Sequence, residues 1–134
     1  MSTLNVASIK SLTTTSLPVI KNSSGVEKGQ FVKAYVNFDG QGTIDANSIR
    51  SSFNVSSIDD ISYGKYRVNW TASFSNTNYI VQISITADDF NAGSHGVPYF
   101  SDILTGSVQI RAFRDEQSSA LVEKDTYCVA VFST

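Results

Sequence analysis

The sequence is short of the residues that most often carry chemistry. In 134 residues there is one cysteine (Cys128), one histidine (His95), one tryptophan, one methionine and two prolines. A single thiol forms no internal disulfide, and alone it builds no zinc site. Charged residues amount to 16% and the formal net charge is -2, too little to steer a chain onto nucleic acid or an acidic membrane. No run approaches the roughly 18 consecutive apolar residues that span a bilayer. The first ten residues alternate polar with apolar positions, unlike the unbroken apolar stretch of a secretory signal. Leucine is scarce as well, with 5 Leu against 13 Val and 11 Ile.

What is abundant points to sheet. β-Branched and aromatic side chains pack well on a pleated surface, whereas helical domains draw on Leu, Glu and Lys. The 21 Ser, 11 Thr and 9 Asn supply turn and edge positions between strands. Residues 31–38 alternate Val32, Ala34, Val36 and Phe38 with a mixed face of Phe31, Lys33, Tyr35 and Asn37. That period of two predicts a strand, and Asp39-Gly40-Gln41-Gly42 predicts a tight turn after it. Further strands are expected at 49–55, at 65–71 with Tyr66, Val68 and Trp70 on one face, and at 79–86 with Val81, Ile83 and Ile85 on one face. A bend is expected at Asp59-Asp60, and a hairpin-like loop at residues 75–78. Two closing strands follow at 107–114 and 126–132, joined by a polar connector at 115–125. No helical period runs for three turns. The expected fold is all-β, an antiparallel β-sandwich or jelly-roll-like knob over residues 30–134, with sandwich and jelly-roll orders both open.

Residues 1–29 read differently. Leu4, Val6, Ile9, Leu17, Val19 and Ile20 are apolar, lie in extended or Ser/Thr-rich stretches, and have no partner in their own segment. That is the pattern of an arm that docks on another subunit or a larger assembly, so these six are candidate oligomer or anchor residues.

Candidate chemistry is thin. Ser94 and His95 are adjacent, but adjacency does not aim an imidazole at a hydroxyl, and no Gly-x-Ser-x-Gly elbow is present. Asp59, Asp60, Asp88, Asp89 and Asp102 could be paired on paper for acid–base work, yet Asp-Asp pairs are ordinary turn residues. Asp88, Asp89, His95 and Asp102 lack the regular spacing of a hard-cation loop. Gly40-Gln41-Gly42 lacks the Lys-Ser/Thr and helix of a phosphate loop. Lys33, Tyr35, Lys65, Tyr66 and Arg67 form only a faint basic-aromatic pattern, read here as a mixed solvated face. Trp70 and Cys128 fall in apolar strands and are expected in the core. No cofactor, metal or enzymatic activity is therefore expected. The feature that stands out is a Gly/Pro/aromatic loop at 87–105, where His95, Tyr99, Phe100 and Asp102 are candidate receptor- or glycan-binding residues.

The block Lys33-Ala34-Tyr35-Val36-Asn37-Phe38-Asp39-Gly40-Gln41-Gly42-Thr43, followed by Ile49-Arg50-Ser51-Ser52-Phe53-Asn54-Val55-Ser56-Ser57-Ile58, resembles a recurring module. It is similar to a pattern in tail-fibre-like and other virion structural proteins of bacteriophages, especially marine phages and cyanophages. Tyr63-Gly64-Lys65-Tyr66-Arg67-Val68-Asn69-Trp70 matches the turn and strand that follow in that family, and residues 2–6 resemble its short opening strand. Tyr35 stands where the family has Trp, and residues 44–48 form a small insertion before Ile49. The resemblance covers about residues 31–85 and the first dozen, and it brings no catalytic residues with it.

What the resemblance implies is a virion component, a homotrimer attached to the particle by its N-terminal arm. Its expected partners are itself, another tail or capsid protein, and a host-surface glycan or protein, with no nucleic acid and no membrane insertion. The alternatives are a head-decorating protein without receptor role and a carbohydrate-binding module.

Overall fold

A computed structural model describes residues 20–21, 23–25, 27–29, 31–86, 96–114 and 120–133. The chain divides into two compact units, Met1–Phe31 and Val32–Thr134. In the first, β1 (Ile20–Lys21) pairs antiparallel with β2 (Glu27–Gly29). Leu4, Val6, Ile9, Leu17 and Val19 lie outside the described residues, and of Ile20 only the backbone pairing with Gly29 is described.

The second unit is an all-β, two-layer antiparallel sandwich. Sheet I has the order β4-β3-β10-β7, built from β3 (Ala34–Phe38), β4 (Ile49–Phe53), β7 (Ile80–Ile85) and β10 (Tyr127–Phe132). Sheet II has the order β5-β6-β9-β8, built from β5 (Val55–Ser62), β6 (Lys65–Trp70), β8 (Val97–Leu104) and β9 (Ser107–Phe113). The hairpins β3–β4, β5–β6 and β8–β9 each stay within one sheet, while β10 enters sheet I between β3 and β7.

Period-two alternation explains the layers, since successive side chains point to opposite faces of a strand. Ala34, Val36 and Phe38 of β3, Tyr66, Val68 and Trp70 of β6, Val108, Ile110 and Ala112 of β9, and Tyr127, Val129 and Val131 of β10 all turn inward and are buried. Aromatic clusters close both ends of this core. Phe38 stacks on Tyr127 at 5.0 Å, and Tyr66 meets both rings edge-on. At the other end Trp70, Phe74 and Tyr79 pack with centroids 4.7–6.4 Å apart.

Four expectations are corrected. Residues 75–78 do not close a hairpin, because β6 and β7 belong to different sheets and the loop is a crossover. Asp59-Asp60 is not a bend, since β5 runs through it and takes up the irregularity as a register shift between Asp60 and Ser62. The loop expected at 87–105 contains β8 from Val97 onward. Its period was hidden by Pro98, tolerated on an edge strand, and by a bulge between Ser101 and Leu104 where Asp102 has φ of 46°. Cys128 is only partly buried: it lies on the face of β10 opposite the inward-turned Tyr127 and Val129.

The strand expected at 49–55 breaks at Asn54, which has φ of 56° and carries the chain from sheet I to sheet II. Its side chain holds that corner. Nδ2 donates to the carbonyls of Lys33 (3.2 Å) and Ala72 (3.1 Å), and Oδ1 accepts from the Ala72 amide (2.8 Å). Asparagine suits the position because its short amide tolerates the left-handed region and can satisfy nearby backbone groups.

Candidate functional site

The sequence-predicted receptor residues are only partly brought together. His95 lies outside the described residues. Tyr99 and Phe100 are both exposed on β8 but occupy opposite faces of sheet II. Phe100 pairs across from the inward Ile110, and Tyr99 across from the outward Arg111. Asp102 is the left-handed residue of the bulge, a conformation that itself explains an Asp there.

Tyr99 therefore belongs to the outer face of sheet II, and the strand pairings define what stands beside it. One row across β8, β9 and β6 reads Tyr99–Arg111–Lys65, and the next row, reaching β5, reads Ser101–Gln109–Arg67–Asp59. Gln109 is outward-facing yet only 3% exposed. Its Oε1 accepts from Arg111 Nη2 (3.0 Å) and from Ser101 Oγ (3.3 Å), which fixes the Arg111 side chain over the sheet. Arg67 and Arg111 are half-buried, and the Nε of each is shielded without a hydrogen-bond partner. Tyr99 packs edge-on against Phe113 at 5.1 Å and keeps 45% of its surface exposed. Sequence reasoning saw Lys65 and Arg67 but missed Arg111 and Gln109, which only the β6–β9 register places beside them; Lys33 and Tyr35 go with sheet I instead.

The outer face of sheet I carries a shallow groove of about 300 Å³, lined among others by Tyr35, Asn37, Gln82, Ser84, Cys128 and Ala130. Tyr35 stacks on Phe53 at 6.2 Å along one side, both rings partly exposed. In the floor, Asn37 Nδ2 donates to Cys128 Sγ (3.1 Å), while Asn37 Oδ1 is buried without a partner. The thiol thus faces an amide, which is no base.

The strongly perturbed groups are structural. Burial pushes the Tyr127 hydroxyl up to about 12, and it pushes Tyr66 and Tyr79 upward as well. Tyr66 Oη donates to the Gly40 carbonyl and Tyr127 Oη to the Val122 carbonyl. Tyr79 Oη lies 2.8 Å from the Leu104 carbonyl and 3.0 Å from that of Ser107. These hydroxyls tie loops to the core. Among the described residues no group of three or more His, Cys, Asp or Glu side chains could hold a metal ion.

The chain matches no protein-family model, no curated protein and no solved structure. Its chemistry is therefore read from two surfaces: a cationic, aromatic-flanked row on sheet II and a neutral, aromatic-walled groove on sheet I.

Proposed function

We propose that this chain is a structural and adhesion protein of a bacteriophage particle, a short trimeric tail fibre or spike whose β-knob meets the host surface. The observation that carries the reading is where the phage-like segment falls. Residues 33–70 make four consecutive strands, β3 to β6, and so contribute two neighbouring strands to each sheet. The motif residues have structural work there. Asn54 holds the corner between sheets, Gly40 lets Tyr127 and Lys124 approach, and Tyr66 ties the Gly40 turn to the core. The resembling segment thus supplies strands to both sheets, which supports reading it as a structural segment. Adhesion is supported by the two sandwich faces, which present aromatic, amide and guanidinium groups suited to holding a ligand by surface contact. Attachment through the arm rests on the sequence alone, on the apolar Leu4, Val6, Ile9, Leu17, Val19 and Ile20 set in extended or Ser/Thr-rich stretches.

Light scattering on the full-length protein tests the assembly: a mass three times 14.5 kDa is expected, and a monomer overturns the fibre. Antibody labelling of purified particles tests the place. A few copies at the tail are expected, whereas copies spread across the whole shell would make it a head-decorating protein.

A further inference from the structure

Cations are spread thinly in this chain, ten Lys and Arg in 134 residues with a net charge of -2. Three of them nonetheless meet on the outer face of sheet II. Lys65 and Arg111 are directly opposed across β6 and β9, and Arg67 is diagonal to Arg111. Directly opposed side chains on neighbouring strands stand about 5 Å apart at Cβ and diagonal ones about 7–8 Å, and like charges so placed oppose sheet formation. None of the three forms an ion pair among the described residues, whereas Arg50 pairs with Asp39 on the other sheet. Asp59 stands opposite Arg67 but makes no salt bridge to it. The guanidinium of Arg111 is anchored by a neutral acceptor, Gln109, so its charge is positioned and not cancelled. Beside it, in the same row, is the exposed ring of Tyr99, in edge-on contact with Phe113.

We propose that this face binds an acidic saccharide, a sugar chain bearing carboxylate or sulfate groups. Arg111, Lys65 and Arg67 hold the anionic groups, and the Tyr99 ring packs against the apolar face of a neighbouring sugar. A guanidinium fork matches the two oxygens of a carboxylate or sulfate, and an aromatic ring offers the flat apolar surface that sugar C–H groups cover. The charge is local and opposite to that of the whole chain, so attraction depends on this row and not on net charge. The inference deepens the adhesion reading by naming the class of receptor, and it rests on that reading.

The test is calorimetric binding of the full-length protein to alginate oligosaccharide (carboxylate) and to dextran sulfate (sulfate), with neutral dextran and poly-glutamate as controls. Binding to at least one acidic saccharide is expected, weakened by added salt, with no binding to neutral dextran; the preferred probe tells carboxylate from sulfate. Arg111→Gln and Lys65→Gln should each weaken binding at least tenfold. Lys33→Gln, which makes the same charge change beside the other sheet, should leave it within twofold. Tyr99→Ala should weaken binding with an unchanged melting curve. No binding to either acidic saccharide, equal binding to poly-glutamate, or equal losses from Lys33→Gln and Arg111→Gln would each overturn the proposal. Host-cell binding by a protein that ignores both saccharides sinks the inference and leaves adhesion standing, whereas absence from the particle sinks the virion reading whatever the saccharide result.

Discussion

Raising the pH above about 10 should unfold this protein through its buried tyrosines. Unfolded tyrosine loses its proton near 10, whereas burial holds the Tyr127 hydroxyl up to about 12 and keeps Tyr66 and Tyr79 raised as well. In that window the native state keeps protons that the unfolded state has lost. Stability is therefore complete below pH about 10 and falls as pH climbs through the folded values. Each such group costs about 1.4 kcal/mol per pH unit, so Tyr127 alone removes roughly 2.7 kcal/mol by pH about 12. Tyr66, 0% exposed and in edge-on contact with Tyr127, is raised in the same direction and adds to that loss. The Tyr127 loss of roughly 2.7 kcal/mol is already a large share of the stability of an ordinary domain, and for a unit of this size it lowers Tm by about 10 °C or more. Thermal melts between pH about 9 and 12, read beside tyrosinate absorbance, make the check. At pH about 11 the folded protein should show less tyrosinate than the denatured chain, since three of its six tyrosines are buried. Tyr66→Phe should flatten the pH slope, which separates the tyrosines from titrating lysines. A full tyrosinate signal with intact ring-packing dichroism would refute the reasoning.

Three further outcomes are expected. Gly40→Ala should cost about 3 kcal/mol or more in urea denaturation, because the added methyl runs into the Tyr127 ring and sits 2.9 Å from the Lys124 carbonyl. Asn54→Ala should cost about 2–4 kcal/mol, combining left-handed strain with unpaired backbone groups, and Asn54→Gly clearly less, because it keeps the φ of 56°; equal losses would show that strain plays no part. Asp102→Gly should be neutral or stabilising by up to about 1 kcal/mol, measured by Tm, since its φ of 46° suits glycine; a large loss would mean that the carboxylate itself holds the bulge.

The strands β3, β6, β7, β9 and β10 were legible because each has one face in the core and one outside, so alternation survives in the sequence. The sandwich class followed from them. The β8 strand was not legible: it is an edge strand carrying Pro98 and a bulge, and half-exposed Phe100 and Leu104 blur its period. Strand order escaped too, since nothing local in residues 75–78 tells a crossover from a hairpin. Of the candidate site, Tyr99 was found from its type, but its neighbours could not be. Arg111 and Gln109 join Tyr99, Lys65 and Arg67 through pairings between separate stretches of chain, and register is a property of the assembled sheet. Cys128 misled for a related reason, because an apolar strand still turns alternate residues outward.

The insertion of β10 between β3 and β7 has a consequence for synthesis. Asn37 and Cys128, hydrogen-bonded neighbours in sheet I, are separated by 91 positions in the chain. Sheet II and the β3–β4 hairpin can form from residues emerging earlier, but until residues 127–132 leave the ribosome, β3 and β7 each offer an open edge with no strand between them. The Phe38–Tyr66 pair lacks its third ring for the same interval. A nascent chain with two matching vacancies can accept β10 from a neighbouring copy when copies are crowded enough to compete with its own tethered strand, so exchange of this strand is the misassembly to look for when many copies are translated side by side.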